Sequence, residues 1–68
     1  DFSVEGNNIC FAEDNKEQKT VIIYNLQGQM IDRIVTHDNK IDINVPRQVV
    51  VMKIICGSNV LTKKLLMR

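Results

Sequence analysis

The chain has 68 residues and a mass of 7.8 kDa, the size of one small domain, which is short for an enzyme built around a deep pocket. Hydrophobic residues make up 44% and charged residues 25%, proportions typical of a globular chain and not of a disordered tail or a collagen-like repeat. No apolar run approaches the roughly 18 residues of a membrane-spanning helix. We therefore expect a single domain over residues 1–68 with no transmembrane segment.

Charge is divided unevenly along the chain. Residues 1–38 hold seven acidic residues against three basic ones, a net charge of −4, whereas residues 39–68 hold six basic residues against Asp42 alone, a net charge of +5. The halves of a small antiparallel sandwich interleave, so we expect much of this asymmetry to cancel in cross-strand charge pairs. The functional alternative is a basic C-terminal edge that contacts a partner.

Short apolar runs alternate with turn residues, and no helical periodicity persists, which predicts an all-β protein. Turn signals recur about every 8–12 residues, a spacing that favours an antiparallel sandwich of two sheets. The predicted strands number seven: Phe2–Glu5, Ile9–Ala12, Thr20–Leu26, Gln29–Thr36, Ile41–Val45, Val49–Cys56 and Asn59–Arg68.

Glycine and proline mark three of the predicted strand ends. Gln27-Gly28 and Gly57-Ser58 each predict a two-residue hairpin loop that requires positive φ. Pro46 has no N–H to donate to a ladder and should end the fifth strand. Gly28, Pro46 and Gly57 are thus the expected structural turn residues. A further turn is expected at Gly6-Asn7-Asn8.

Two strands have patterns that predict their environment. Ile41, Ile43 and Val45 alternate with polar residues, which places one face of the fifth strand in the core. The sixth strand, Val49–Cys56, is apolar on both faces apart from Lys53. It is therefore expected to be a central strand or one covered by a partner.

The polar segments contain no complete catalytic, metal or nucleic-acid signature. The longest predicted loop, Glu13–Lys19, contains acidic residues but lacks the spaced pattern of a calcium loop. His37, the single histidine, lies beside Asp38 in a predicted turn, and no nucleophile stands at a diagnostic spacing. Three aromatic residues are too few for a base-stacking platform. We expect no enzyme activity, cofactor, metal or nucleic acid.

Cys10 and Cys56 form either a disulfide or two free thiols, since two cysteines are too few for a zinc site here. If Ile9 and Phe11 point inward, Cys10 points outward, whereas Cys56 shares the inward face of its strand. Opposite orientations favour free thiols. The count does not fix the redox compartment.

The last segment, Lys63-Lys64-Leu65-Leu66-Met67-Arg68, combines basic and apolar residues. One interpretation is an edge strand that its lysines protect against aggregation. The other is an exposed tag that a receptor reads through strand pairing and charge.

The order of these motifs, from about Thr20 to Arg68, resembles the C-terminal sorting domain of cargo proteins of the Bacteroidetes type IX secretion system. Val21–Met30 follows the family pattern V-x-I-Y-N-L-x-G-[KR]-[LMV], except that Gln29 replaces the basic residue. The segment ending at Pro46, the apolar strand after it and the lysine-containing last strand are also similar. Arg47-Gln48 stands where the family has glycine, and no aromatic residue follows.

The resemblance implies an Ig-like antiparallel β-sandwich of about seven strands at the end of a longer secreted protein. The absence of a starting Met or leader at Asp1 fits this expectation. Its implied role is a non-catalytic sorting signal for an upstream cargo domain, recognised by the outer-membrane translocon and commonly processed by a sortase-like peptidase. The implied location is the periplasm in transit, then the outer membrane surface or the extracellular space. The implied recognition residues are Lys63, Lys64, Leu65, Leu66, Met67 and Arg68.

An accessory role is the alternative. An Ig-like sandwich could stay attached and pack against a neighbouring catalytic or adhesin domain, or bind glycan, although three aromatic residues argue against a sugar-stacking platform. Mass spectrometry of the mature secreted parent separates the two hypotheses. A sorting domain should be missing from it and an accessory domain retained.

Overall fold

A computed structural model describes residues 2–45 and 47–66. Its described part contains seven strands and no helix, which confirms the all-β prediction. None of the described residues forms a helix long and apolar enough to cross a membrane. The strands are β1 (Phe2–Glu5), β2 (Asn8–Phe11), β3 (Lys19–Tyr24), β4 (Met30–Thr36), β5 (Lys40–Asp42), β6 (Val49–Cys56) and β7 (Asn59–Leu66).

The strands form two antiparallel sheets, which confirms the predicted sandwich. The small sheet has the order β1-β2-β5 and the large sheet the order β4-β3-β6-β7. After β4 the chain crosses to the small sheet, where β5 pairs with β2, and then returns to form β6. Because β6 pairs with both β3 and β7, it is the central strand that its apolar sequence predicts.

The core lies between the sheets and is built by side chains at alternate strand positions. Burial alternates along β3 and β6, and Ile23, Val50 and Met52 are fully buried. Each such side chain contributes roughly 1.5–3 kcal/mol relative to exposure. The core cluster consists of Ile9, Phe11, Val21, Ile23, Ile41, Ile43, Val45, Val50, Met52 and Ile54.

The β3–β4 hairpin corrects the prediction of a two-residue loop at Gln27-Gly28. Five residues separate the two strands. The Gly28 N–H donates to the Asn25 carbonyl at 3.0 Å, and Asn25 Oδ1 accepts the N–H groups of Gln27 and Gln29 at 3.0 and 2.9 Å. Gly28 alone in this loop has positive φ, at 85°. The Asn25 side chain therefore stabilises a longer turn that ends in a left-handed glycine.

The β6–β7 hairpin confirms the predicted two-residue loop at Gly57-Ser58. Cys56 pairs with Asn59 across the ladder. Gly57 has φ of 62°, whereas no described non-glycine residue has positive φ. Positive φ at the first loop position alone is typical of a type II′ turn. Pro46, the third predicted turn residue, lies outside the described residues.

The fifth strand is shorter than predicted, although its inward face is confirmed. β5 ends at Asp42, at the last pair of its ladder with β2. The next N–H, that of Ile43, donates to the Asn7 carbonyl in the β1–β2 turn at 2.7 Å. Ile43 and Val45 are nevertheless buried, as their alternation predicts. Asn8 opens β2, so the predicted turn is one residue too long. The bounds of β2, β3 and β4 differ from the predicted ones by one or two residues.

Candidate functional site

β7 is an edge strand of the large sheet and is poorly covered. It pairs with β6 on one side and has no other strand neighbour among the described residues. Along β7 only Leu65 is half-buried, whereas Val60 and Leu66 are 57% and 48% exposed. At eight residues β7 is longer than the other edge strands, β1, β4 and β5. A long exposed edge is a ready template for pairing with another chain.

The small sheet leaves β7 uncovered because it has three strands against four in the large sheet. On β6, the inward side chains of Met52 and Ile54 are 0% and 3% exposed. Their partners on β7, Lys63 and Leu61, occupy the same face of the large sheet and are both exposed. The inner face of β7 therefore extends beyond the core.

The uncovered inner face of β7 borders a groove of about 480 Å³. Phe2 and Phe11 form its aromatic wall, with ring centroids 5.6 Å apart. Lys63 Nζ lies 5.8 Å from the centroid of the Phe2 ring, a cation–π contact of about 0.5–1 kcal/mol when exposed. The groove thus has one aromatic wall, with an ammonium at its rim.

The loop before β3 forms the polar end of this groove. Cys56 Sγ donates to Glu17 Oε2 at 3.4 Å and accepts from Asn15 Nδ2 at 3.5 Å. Asn15 Oδ1 also accepts the Glu17 N–H at 2.9 Å. These bonds hold the loop against the β6–β7 hairpin and present one carboxylate at the end of the groove.

Lys19 is fully buried, which corrects its predicted place in the solvated loop Glu13–Lys19. Its Nζ donates to Asn39 Oδ1 at 2.6 Å, to the His37 carbonyl at 3.0 Å and to the Asn15 carbonyl at 3.4 Å. The same Nζ lies 5.3 Å from the centroid of the Phe11 ring. Lys19 therefore connects the loop before β3 with the loop between β4 and β5 at one end of the sandwich.

The strand period contains a signal for this burial that the sequence interpretation missed. Lys19 stands two and four residues before Val21 and Ile23, so it shares their inward face. Burial of an ammonium requires hydrogen-bonding partners, and the two shorter bonds go to His37 and Asn39, 18 and 20 residues away in sequence. The pattern alone could suggest the direction of the side chain but not its acceptors.

The predicted recognition residues do not form one patch. Lys63 pairs with Met52 and faces the groove, whereas Lys64 pairs with Val51 and lies on the opposite, outer face of the sheet. Leu65 follows Lys63 on the inner side and Leu66 follows Lys64 on the outer side. Met67 and Arg68 lie outside the described residues.

The predicted cancellation of charge through cross-strand pairs is wrong. In the described registers no lysine or arginine stands directly opposite a carboxylate. Arg33 and Lys53 both flank Ile22, and Lys64 stands opposite Val51. The cations of the large sheet are thus left without acidic cross-strand partners.

The remaining sequence candidates lie apart from β7. His37 is exposed, and its carbonyl, not its imidazole, accepts the bond from Lys19. Within residues 2–45 and 47–66 no group of three or more His, Cys, Asp or Glu side chains could hold a metal ion. Cys10 lies on the outer face of the small sheet, opposite Ser3 and Lys40. Both cysteines are free, as their predicted opposite orientations favour.

Comparison with known proteins gives no independent guide to this site. No family model, curated protein or solved structure matches the chain.

Proposed function

We propose that this domain is a non-catalytic sorting signal that directs an upstream cargo domain across the outer membrane by the type IX system. In this proposal the translocon recognises β7, and a sortase-like peptidase acts after passage. The cargo crosses the periplasm and ends at the cell surface or outside the cell. The proposal rests on the motif order and on the exposure of β7.

The observation that carries the proposal is the accessibility of β7 on both faces and along one edge. A receptor strand added to this edge would gain main-chain hydrogen bonds along up to eight residues. Side chains of such a strand would alternate between the groove beside Phe2 and the outer face that carries Lys64. This arrangement combines affinity from the backbone with selectivity from the two faces.

The strand arrangement supports the Ig-like part of the proposal. Seven strands divide into sheets of three and four, and β5 returns to pair with β2. Immunoglobulin-like sandwiches have the same division of three and four strands with Greek-key connections.

The segment that resembles the family pattern has a structural explanation in this chain. Tyr24 ends β3, Asn25 accepts the hydrogen bonds that shape the turn, and Gly28 supplies its positive φ. The recurring Tyr-Asn and Gly positions therefore specify the β3–β4 hairpin at the far edge of the large sheet from β7. We infer that this motif maintains the fold and that recognition falls to the last strand.

A folded tag suits this role for an entropic reason. Strand β7 is already ordered by its ladder with β6, so a receptor does not have to order it on binding. An unstructured tail of the same length would lose conformational entropy at that step.

The test is a reporter fused to residues 1–68 in a host that has this export system. We expect export of the fusion and its loss when residues 65–68 are deleted. Because Leu65 is half-buried, a charge reversal that preserves the core, Lys63→Glu with Lys64→Glu, is tested beside the deletion. We expect it to reduce export several-fold while the purified domain keeps its unfolding temperature within a few degrees.

Lys16→Glu with Lys40→Glu is the matched control, since both residues are exposed and neither belongs to β7. It makes the same change in net charge and should leave export unchanged. Undiminished export of both the truncated and the charge-reversed fusions would refute the proposed role of β7.

A further inference from the structure

The outer face of the large sheet, the side turned away from the core, is largely apolar at its centre. On this face Tyr24 of β3 stands opposite Val51 of β6. Ile22 lies in the next row of β3, and Ile55 of β6 lies one row beyond Ile22. All four side chains are only half-buried. We call this surface, with the cations described next, the outer β3–β6 face.

Three cations lie on the same face and on three different strands. The cross-strand row Arg33–Ile22–Lys53 runs over β4, β3 and β6, and Lys64 lies in the next row beside Val51. The described strand positions of this face contain no carboxylate. Its field is therefore positive across its width, and a partner with the opposite charge would fit it.

The outer face of the small sheet differs in both respects. Glu5 and Asp42 flank Asn8 there, Lys40 lies in the next row, and the three charged residues are exposed. That surface is polar, with charges of both signs. The apolar and cationic character of the outer β3–β6 face is therefore not a general property of this small domain.

The size of the face indicates what kind of protein contact it supports. Four strands about 4.8 Å apart and about 25 Å long cover roughly 500 Å². Domain–domain contacts within a chain bury roughly 600–1,500 Å² in total, or about half of that on each side. Stable independent complexes bury about 800 Å² on each partner. The face matches a docked domain better than a strong free partner.

Charge also argues against other occupants. Two copies packed symmetrically through this face would bring the Arg33, Lys53 and Lys64 cations of both copies together, which is unfavourable without intervening acids. Membrane-surface binding requires apolar side chains that enter the headgroup layer, whereas Ile22, Tyr24 and Val51 lie half-buried in a sheet surface.

We propose that the outer β3–β6 face docks onto another folded protein domain through a surface that is apolar at its centre and carries carboxylates opposite Arg33, Lys53 and Lys64. This contact goes beyond the sorting function. Arg33 and Lys53 lie outside the last strand, and Lys64 is the one residue that both proposals use. The docked domain would also cover the outer face of β6, the strand whose sequence is apolar on both faces apart from Lys53.

The test is carbodiimide cross-linking of the protein in the cells that produce it, because the reagent joins a lysine ammonium to a carboxylate in direct contact. We expect mapped cross-links from Lys53 and Lys64 to Asp or Glu outside residues 1–68, and few from Lys16 or Lys40. Arg33→Glu should lower the yield at Lys53 and Lys64 several-fold, since it repels the partner carboxylates without removing a reactive lysine. Lys40→Glu, the matched control on the small sheet, should leave the yield unchanged.

Three results would overturn the proposal. The first is cross-linking spread equally over all four lysines, or absent from Lys53 and Lys64. The second is cross-linking of Lys53 or Lys64 to carboxylates of another copy of residues 1–68. The third is flotation of purified residues 1–68 with phosphatidylglycerol vesicles that Arg33→Glu abolishes, which would assign the face to an anionic membrane. If export fails to depend on β7 while the cross-links appear as expected, the sorting proposal fails and this one stands.

Discussion

Replacing Lys19 with Met tests whether the buried ammonium holds one end of the sandwich together. Met keeps much of the apolar stem and volume of lysine but donates no hydrogen bond. The change leaves Asn39 Oδ1 and the His37 and Asn15 carbonyls without this donor. It therefore removes the link between the loop before β3 and the loop before β5.

The expected loss follows from the geometry of the three contacts. The bonds to Asn39 and His37, at 2.6 and 3.0 Å, are strong, whereas the bond to Asn15, at 3.4 Å, is weak. A hydrogen bond to a charged group contributes about 1.5–3 kcal/mol. Two effects offset part of this loss: some of the acceptors form hydrogen bonds to water in the variant, and the variant has no buried ammonium to desolvate. We therefore expect Lys19→Met to lower the free energy of unfolding by about 2–4 kcal/mol.

Such a loss is large for this chain. The free energy of unfolding of a folded protein is roughly 0.05–0.15 kcal/mol per residue, which gives about 3–10 kcal/mol for a chain of 68 residues. For a domain of this size each kcal/mol lowers Tm by about 4–8 °C. Lys19→Met should therefore lower Tm by roughly 10–30 °C.

The assay is urea and thermal unfolding followed by circular dichroism. Lys16→Met, an exposed lysine in the same loop, is the control and should change stability by less than about 0.5 kcal/mol. Asn39→Ala combined with Lys19→Met should cost less than the sum of the single changes, because both remove the same 2.6 Å bond. A Lys19→Met variant as stable as the parent, or additive effects in the double variant, would refute the reasoning.

Three further predictions concern the turns and the thiols. Gly57→Ala should cost about 1–3 kcal/mol, because Gly57 has φ of 62° and the Glu17 carboxylate, whose Oε2 would lie 2.6 Å from the new Cβ, has to move aside; an unchanged unfolding midpoint would contradict this. Asn25→Ala should cost about 1 kcal/mol through loss of the acceptor for two N–H groups, and Asn25→Asp, which keeps the acceptor, should cost less in the same unfolding assay. Without prior reduction, iodoacetamide in denaturant should add two groups by intact mass because both cysteines are free, and no addition would indicate a disulfide.

Periodicity predicted most of the fold because local pattern and core agree over most strands. Ile41, Ile43 and Val45 alternate with polar residues and are all buried, even where the ladder ends early. The loop at Asn25 was mispredicted because a side chain, not only the backbone, determines its length. Side-chain caps of this kind depend on rotamers that turn dipeptides do not reveal.

The candidate site was predictable only in part. The last strand and its lysines are visible in the sequence, and alternation already requires Lys63 and Lys64 to lie on opposite faces. The exposure of the inner face of β7 depends on the small sheet having one strand fewer, which is a property of the topology. The acceptors of Lys19 are likewise set by tertiary contacts between loops.

The most direct test of the sorting proposal measures how much of a reporter fused to residues 1–68 leaves the cell in two matched hosts. One host has an intact type IX system, and the other lacks only its outer-membrane translocon. The proposal predicts reporter at the cell surface or in the medium of the intact host and its retention in the periplasm of the other. Equal amounts outside both hosts, or retention in both, would contradict it.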